Sequence, residues 1–104
     1  MAVKSLKSIS IAFENAIAQA RRLEESAAKM RNARLQLRDI QNSLRSEWQG
    51  ESAQLYMQKC DILSDKLQRT ADDLLKIADV IRKSAKSYKD AEVKALEAIA
   101  KKNY

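Results

Sequence analysis

The chain has 104 residues and a mass of 11.8 kDa, the size of one small domain. It contains no proline, one glycine, no histidine and one cysteine, and its 20 basic and 14 acidic side chains give a net charge of +6 at pH 7. This composition argues against a β-sheet protein, which needs frequent turn residues, and excludes a Cys/His zinc site within one chain and any nucleophilic pair that depends on histidine.

The N-terminal segment begins like a signal peptide but does not continue as one. Lys4 and Lys7 supply positive charge, yet Ser8, Ser10 and Glu14 interrupt the apolar run, and no small-residue cleavage site follows. No apolar run in the chain approaches the roughly 18 residues that cross a membrane. We therefore expect synthesis in the cytoplasm and, if the protein is exported, a route that does not depend on a cleavable signal.

The first predicted helix covers about residues 7–46. Apolar and small residues recur there at steps of three and four, the pattern of a helix packed against a neighbour. After Met30 two successive steps of three shift this seam, as expected where a helix changes register. The seam comprises Ile9, Phe13, Ala16, Ala20, Leu23, Ala27 and Met30, followed by Ala33, Leu37, Ile40, Leu44 and Trp48.

The predicted turn covers residues 47–51 and contains the only glycine. Gly50 adopts a positive φ without steric cost, so it suits the C′ position of the first helix. We expect Ser52 to cap the second helix by accepting backbone N–H groups. A short turn forces the two helices to run antiparallel, which predicts an all-α helical hairpin in a single domain, residues 1–104.

The second predicted helix covers about residues 52–99 and is followed by a short basic tail, 100–104. Cys60 lies on its seam, where we interpret it as a small buried hydrophobe. A second apolar line that includes Leu75 widens the face. The seam comprises Tyr56, Cys60, Leu63, Leu67, Thr70, Leu74, Ile77, Ile81, Ala85 and Tyr88.

Together the two apolar faces are broader than one hairpin buries. We therefore expect a second chain, identical or related, to complete a four-helix bundle. The residues predicted for this core and dimer face are Phe13, Leu23, Met30, Leu37, Ile40, Leu44, Tyr56, Leu63, Leu67, Leu74, Ile77 and Ile81.

Enzymatic chemistry finds little support in the sequence. The paired carboxylates Asp72 and Asp73 lie at helical spacing from Arg69 and Lys76, which favours surface ion pairing. One glycine is too few for a phosphate-binding loop, and a ferritin-like di-iron site requires histidine. We expect no catalytic, cofactor-binding or metal-binding residues, no cofactor and no small-molecule substrate.

Basic residues suggest an alternative of another class. Arg31, Arg38 and Arg45 are spaced by seven with Arg34 close by, and residues 82–89 form a second basic stretch. Such stripes suffice for phosphate contacts. Base recognition needs a helix free to enter a groove or aromatic stacking platforms, and most of the few aromatics lie on seam positions. A basic helical scaffold that binds nucleic acid therefore remains an alternative.

The only tryptophan stands two residues before the only glycine, at the predicted turn. Trp48 and Gly50 are followed by an aromatic residue, Tyr56, and Tyr88 is followed four residues later by Glu92. With the length and the hairpin pattern, these features resemble the WXG (Trp-X-Gly) family, the small Esx-type proteins exported by bacterial type VII secretion systems. The resemblance covers nearly the whole chain.

The resemblance implies a non-enzymatic helix-turn-helix subunit that dimerises into an antiparallel four-helix bundle. It implies a secreted substrate, often a carrier, that leaves the bacterial cytoplasm without a cleavable signal and is recognised by a membrane-bound FtsK/SpoIIIE-type ATPase. In the family the Tyr-x-x-x-Asp/Glu element belongs to the export signal, which here would be Tyr88 and Glu92. The Trp-X-Gly element, here Trp48 and Gly50, is needed at the turn.

Helical geometry suggests how the two motifs meet. Tyr88 lies about 54 Å along its helix from the turn, so it cannot reach Trp48 of the same chain. In an antiparallel dimer the partner's Tyr88 would arrive beside Trp48, so that a composite surface forms only on assembly.

The charge of +6 departs from the family, whose members are more often acidic or near neutral. It suggests an acidic partner, such as the N-terminal helical domain of a larger toxin. The chain would then be a targeting chaperone or heterodimer partner of that toxin instead of a homodimer.

Overall fold

The computed structural model describes residues 5–102, which form two long α-helices and no strand. Helix α1 spans Leu6–Glu47 and helix α2 spans Glu51–Lys102. The predicted all-α class and helical hairpin are confirmed. Helix α2 continues three residues beyond the predicted end at residue 99, so residues 100–102 of the predicted tail are helical. Lys4 and residues 103–104 lie outside the described residues.

Helix α1 begins at a serine cap. The Ser5 hydroxyl oxygen accepts a hydrogen bond from the Ser8 backbone N–H at 3.1 Å, and the Ser5 carbonyl accepts one from the Ile9 N–H at 3.0 Å. A side-chain oxygen in this position satisfies one of the unpaired N–H groups of the first turn. Neither helix carries a stretch that is long and apolar enough to cross a membrane within residues 5–102.

The turn differs from the prediction in its capping residue. The Trp48 N–H still donates to the Leu44 carbonyl at 2.7 Å, and the Gly50 carbonyl accepts from the Gln54 N–H at 3.1 Å. Gly50, with φ at +113°, is therefore the N-cap of α2, and the expectation that Ser52 caps this helix is wrong. The reason is that α2 begins at Glu51, which leaves Ser52 inside its first turn.

Contacts divide the chain into two compact units, and in each unit α1 and α2 run antiparallel. The described part of unit 1 comprises residues 5–23 and 76–102. Its seam is apolar and built mainly from small side chains, and the Lys89 ammonium lies 4.5 Å from the centroid of the Phe13 ring. The buried residues of unit 1 are Ile9, Ala20, Ala78 and Ala85.

Unit 2 comprises residues 24–75 and has a partly polar seam. Gln41, only 4% exposed, donates from Nε2 to Asp61 Oδ1 at 2.9 Å and to the Met57 carbonyl at 3.2 Å. Cys60 is buried, as predicted. The other buried residues of unit 2 are Ala27, Ala53, Ser64 and Ala71.

Further polar contacts join α1 to α2 in unit 2. Arg34 donates from Nε to the Ser64 hydroxyl at 3.1 Å, and Arg31 forms an ion pair with Asp72 at 3.3 Å. Asp72 therefore forms a surface ion pair, as predicted, but its partner is Arg31 of the opposite helix and not a basic residue of its own helix. Its carboxylate contacts the opposite helix and also accepts from Gln68 Nε2 at 2.9 Å.

None of the residues predicted for the core and dimer face is fully buried within the chain. Small residues occupy the intrachain seam because they let the helices approach closely, and larger neighbours are left at its edge. Ile40, Tyr56, Leu63 and Ile77 are exposed, and the half-buried members are Phe13, Leu23, Met30, Leu37, Leu44, Leu67, Leu74 and Ile81. Coverage of this face by a second chain stays a prediction.

Candidate functional site

The turn in unit 2 presents an aromatic pair at the surface. Trp48 follows the last residue of α1, and Tyr56 lies in the second turn of α2. Their ring centroids are 5.4 Å apart at an interplanar angle of 55°, a tilted arrangement that aromatic rings favour. Trp48 remains 42% exposed, so it is open to a further contact.

Gly50 sets the position of this pair through its backbone conformation. A Cβ atom added to Gly50 would meet nothing within 4 Å, so space does not explain the glycine. The φ angle of +113° explains why a glycine is needed here, because residues that carry a side chain rarely adopt such an angle. The Trp-X-Gly element is thus a conformational device that ends one helix, begins the next and leaves the indole at the surface.

An open groove of about 540 Å³ borders the turn in unit 2. Trp48, Ala53 and Met57 provide its apolar part. A smaller hollow of about 250 Å³ lies beside Arg45, which borders both depressions. The remaining lining of the groove is polar and comes from Arg45, Gln49, Gly50, Gln54 and Gln58.

The second motif lies in unit 1. Tyr88 is half-buried and lines a mostly apolar groove of about 340 Å³ together with Phe13 and Ile81. Glu92, one helical turn further along α2, is also half-buried. The structure therefore groups Trp48 with Gly50 in one unit and Tyr88 with Glu92 in the other.

Two of the four arginines that form the basic stripe on α1 contact helix α2. Arg31 and Arg34 bond to α2, as described above, whereas Arg38 and Arg45 form no ion pair within residues 5–102. In unit 1 the Asp79 carboxylate accepts a hydrogen bond from Lys83 Nζ at 2.8 Å and raises the pKa of Lys83 above its usual value. Among residues 5–102 no three acidic, cysteine or histidine side chains are grouped so as to hold a metal ion.

The polar bonds across unit 2 were missed by the sequence analysis. Gln41 and Ser64 occupy seam positions, and a search for apolar periodicity passes over them. The available signal is a polar residue spaced by one or two heptads from a small buried residue: Gln41 lies fourteen residues from Ala27, and Ser64 lies seven from Ala71.

A family model settles the relationship of the chain. The model named WXG100, described as proteins of 100 residues with WXG, matches residues 8–93. The chain belongs to the WXG100 family. This family is known for type VII secretion substrates, and its members are secreted helical proteins and not enzymes. No curated protein and no solved structure matches this WXG100 protein.

Proposed function

We propose that this WXG100 protein is a substrate of a type VII secretion system, exported as a folded dimer and recognised by an FtsK/SpoIIIE-type ATPase. The observation that carries the proposal is the family match over residues 8–93, which includes both motifs. The recognised elements are Trp48 with Gly50 and Tyr88 with Glu92. The part-exposed indole of Trp48 supports a contact role for the turn.

The distribution of apolar residues supports dimerisation. The intrachain seam buries mostly alanine, which removes little apolar surface from water, whereas large side chains remain outside it. Leu63 is 49% exposed and Ile77 is 50% exposed. Exposed apolar residues that follow a helical stripe are typical of a surface that binds another protein. A second hairpin covering this stripe would complete a four-helix bundle.

The placement of the two motifs in different units supports a signal that depends on assembly. An antiparallel partner would bring the partner's Tyr88 to Trp48, so that the ATPase would bind the dimer and not the monomer. The test is the double substitution Leu74→Lys and Ile81→Lys, which places charge on the dimer face. We expect a monomer that is not exported. Export of this monomer at the wild-type level would overturn the coupling.

Export itself is tested by expressing the tagged chain in a bacterium with an active type VII system. We expect the protein in the culture medium, and loss of that signal with unchanged cytoplasmic levels in Tyr88→Ala and Glu92→Ala. Glu97→Ala is the matched control, because Glu97 is an exposed glutamate on the same helix. Equal export of all variants would exclude Tyr88 and Glu92 as the signal.

A second candidate within the same fold is a targeting chaperone or heterodimer partner of a larger secreted toxin. The net charge of +6 favours it, because like charges on two copies repel while an acidic partner is attracted. Light scattering of the purified chain separates these possibilities. A dimer of twice 11.8 kDa supports self-association, and a monomer or aggregate supports a missing partner.

The alternative of another class is a cytosolic scaffold that binds nucleic acid. The bonds of Arg31 and Arg34 to α2 leave fewer arginines of the basic stripe on α1 available for phosphate contacts. Salt-dependent retention of the chain on DNA, with no protein in the culture medium, would favour this alternative over secretion.

A further inference from the structure

One side of the groove at the turn lies away from the predicted dimer face, although Trp48 borders the groove and also contacts Tyr56 of that face. Gln54 and Gln58 are one helical turn apart and share a face of α2, and both line the groove. Tyr56, a member of the dimer face, is two residues from each of them. Two residues correspond to about 200° around a helix, so Tyr56 points to the opposite side. A second chain on the dimer face would approach Trp48 and would leave the side of the groove with Gln54 and Gln58 open.

The groove combines two kinds of lining that suit a peptide. Trp48 and Met57 offer apolar surface, and the glutamine amides offer donors and acceptors for a peptide backbone. Its volume of about 540 Å³ falls within the range of sites that bind small ligands.

The charge next to the groove is positive and only partly compensated. Arg45 borders the groove, and Arg38 lies with Arg45 along the adjoining hollow. The one carboxylate that lines this hollow, Asp61, already accepts a hydrogen bond from Gln41. Arg31, by contrast, has a carboxylate partner in Asp72 at 3.3 Å. Arg45 thus offers its guanidinium to a carboxylate from outside.

We propose that this groove binds a segment of a partner protein in which an acidic side chain lies next to an apolar one. The apolar side chain contacts Trp48 and Met57, and the carboxylate pairs with the Arg45 guanidinium, whose planar fork matches a carboxylate. The inference rests on the proposed function in that it gives the chemistry of the partner that recognises the turn.

Nuclear magnetic resonance titration of the full-length, isotope-labelled chain tests this inference. The probe is a hexapeptide of alternating leucine and glutamate, capped at both ends, and its counterpart carries glutamine in place of glutamate. We expect the glutamate peptide to shift the indole signal of Trp48 and the side-chain amide signals of Gln54 and Gln58 at about millimolar concentration. We expect it to bind about threefold to fivefold more tightly than the glutamine peptide.

The substitution Arg45→Gln should abolish this preference between the peptides. Arg45 is exposed on α1, so circular dichroism should show an unchanged fold. Arg21→Gln is the matched control, because Arg21 is an exposed arginine of α1 that lines neither depression. The inference is overturned if the two peptides bind equally, if no signal shifts, or if the shifts map to Leu63 and its neighbours.

The titration is independent of export, so the two proposals fail separately. Export that depends on Tyr88, combined with no binding of the glutamate peptide, would overturn only the role of the groove. Binding of the glutamate peptide at Arg45, combined with normal export of Tyr88→Ala, would overturn only the proposed export signal.

Discussion

The two units of this WXG100 protein join the same pair of helices by different means. In unit 1 the seam is apolar, with Ile9 fully buried and Lys89 over the Phe13 ring. In unit 2, next to the turn, Gln41 and Arg34 form hydrogen bonds across the seam. Apolar contacts are non-directional and tolerate sliding, whereas buried polar groups pair in one register only. The difference indicates that unit 2 specifies how the helices align.

Shortening a buried side chain in the apolar seam of unit 1 should cause the largest loss of stability. We expect Ile9→Ala to lower the free energy of unfolding by about 2–5 kcal/mol, because Ile9 is a large and fully buried side chain. Urea denaturation at constant protein concentration measures the change. Ile11→Ala is the control, since Ile11 is 52% exposed and should cost under about 0.5 kcal/mol. Equal losses for the two variants would contradict the burial of Ile9.

A substitution in the polar seam of unit 2 should cause a smaller loss of stability, because it removes hydrogen bonds and not a large apolar side chain. We expect Gln41→Ala to cost about 1–2 kcal/mol, because the Met57 carbonyl and the Asp61 carboxylate lose their donor. Asn42→Ala at the neighbouring exposed position should cost little. Urea denaturation gives both values. If Gln41→Ala lowered the free energy of unfolding as much as Ile9→Ala does, the two seams would not differ in their contribution to stability.

The smallest effect is expected at the surface of unit 1. The bond to Asp79 raises the pKa of Lys83, so any stabilisation is fully present below the usual pKa of lysine and is lost as the pH rises through the raised value. Asp79→Asn should lower the pKa of Lys83 toward its usual value, as measured by magnetic resonance titration of the side chain. Because both groups are exposed, added salt should weaken the wild-type shift. A shift that survives Asp79→Asn would have another cause.

Parts of this architecture follow directly from the sequence, and other parts do not. The heptad spacing predicted two long helices, and the single glycine, Gly50, placed their limits at the turn within one residue of the structure. The cap of α2 was misplaced because a glycine between two helices suits either the end of one or the start of the next. Helix α2 extends beyond its predicted end at residue 99, because residues 100–102 are good helix formers and no helix-stop signal precedes them.

The sequence by itself determined the all-α class, the single turn at Gly50 and the family resemblance, because these depend on local propensity and periodic spacing. Only the tertiary structure decided that small members of the predicted seam such as Ala20 are buried between the helices and that larger ones such as Leu63 remain exposed. It also decided that Gln41 is buried and that Asp72 contacts Arg31. Periodicity identifies the apolar side of a helix, but the distance between helix axes selects which residues on that side fit between them.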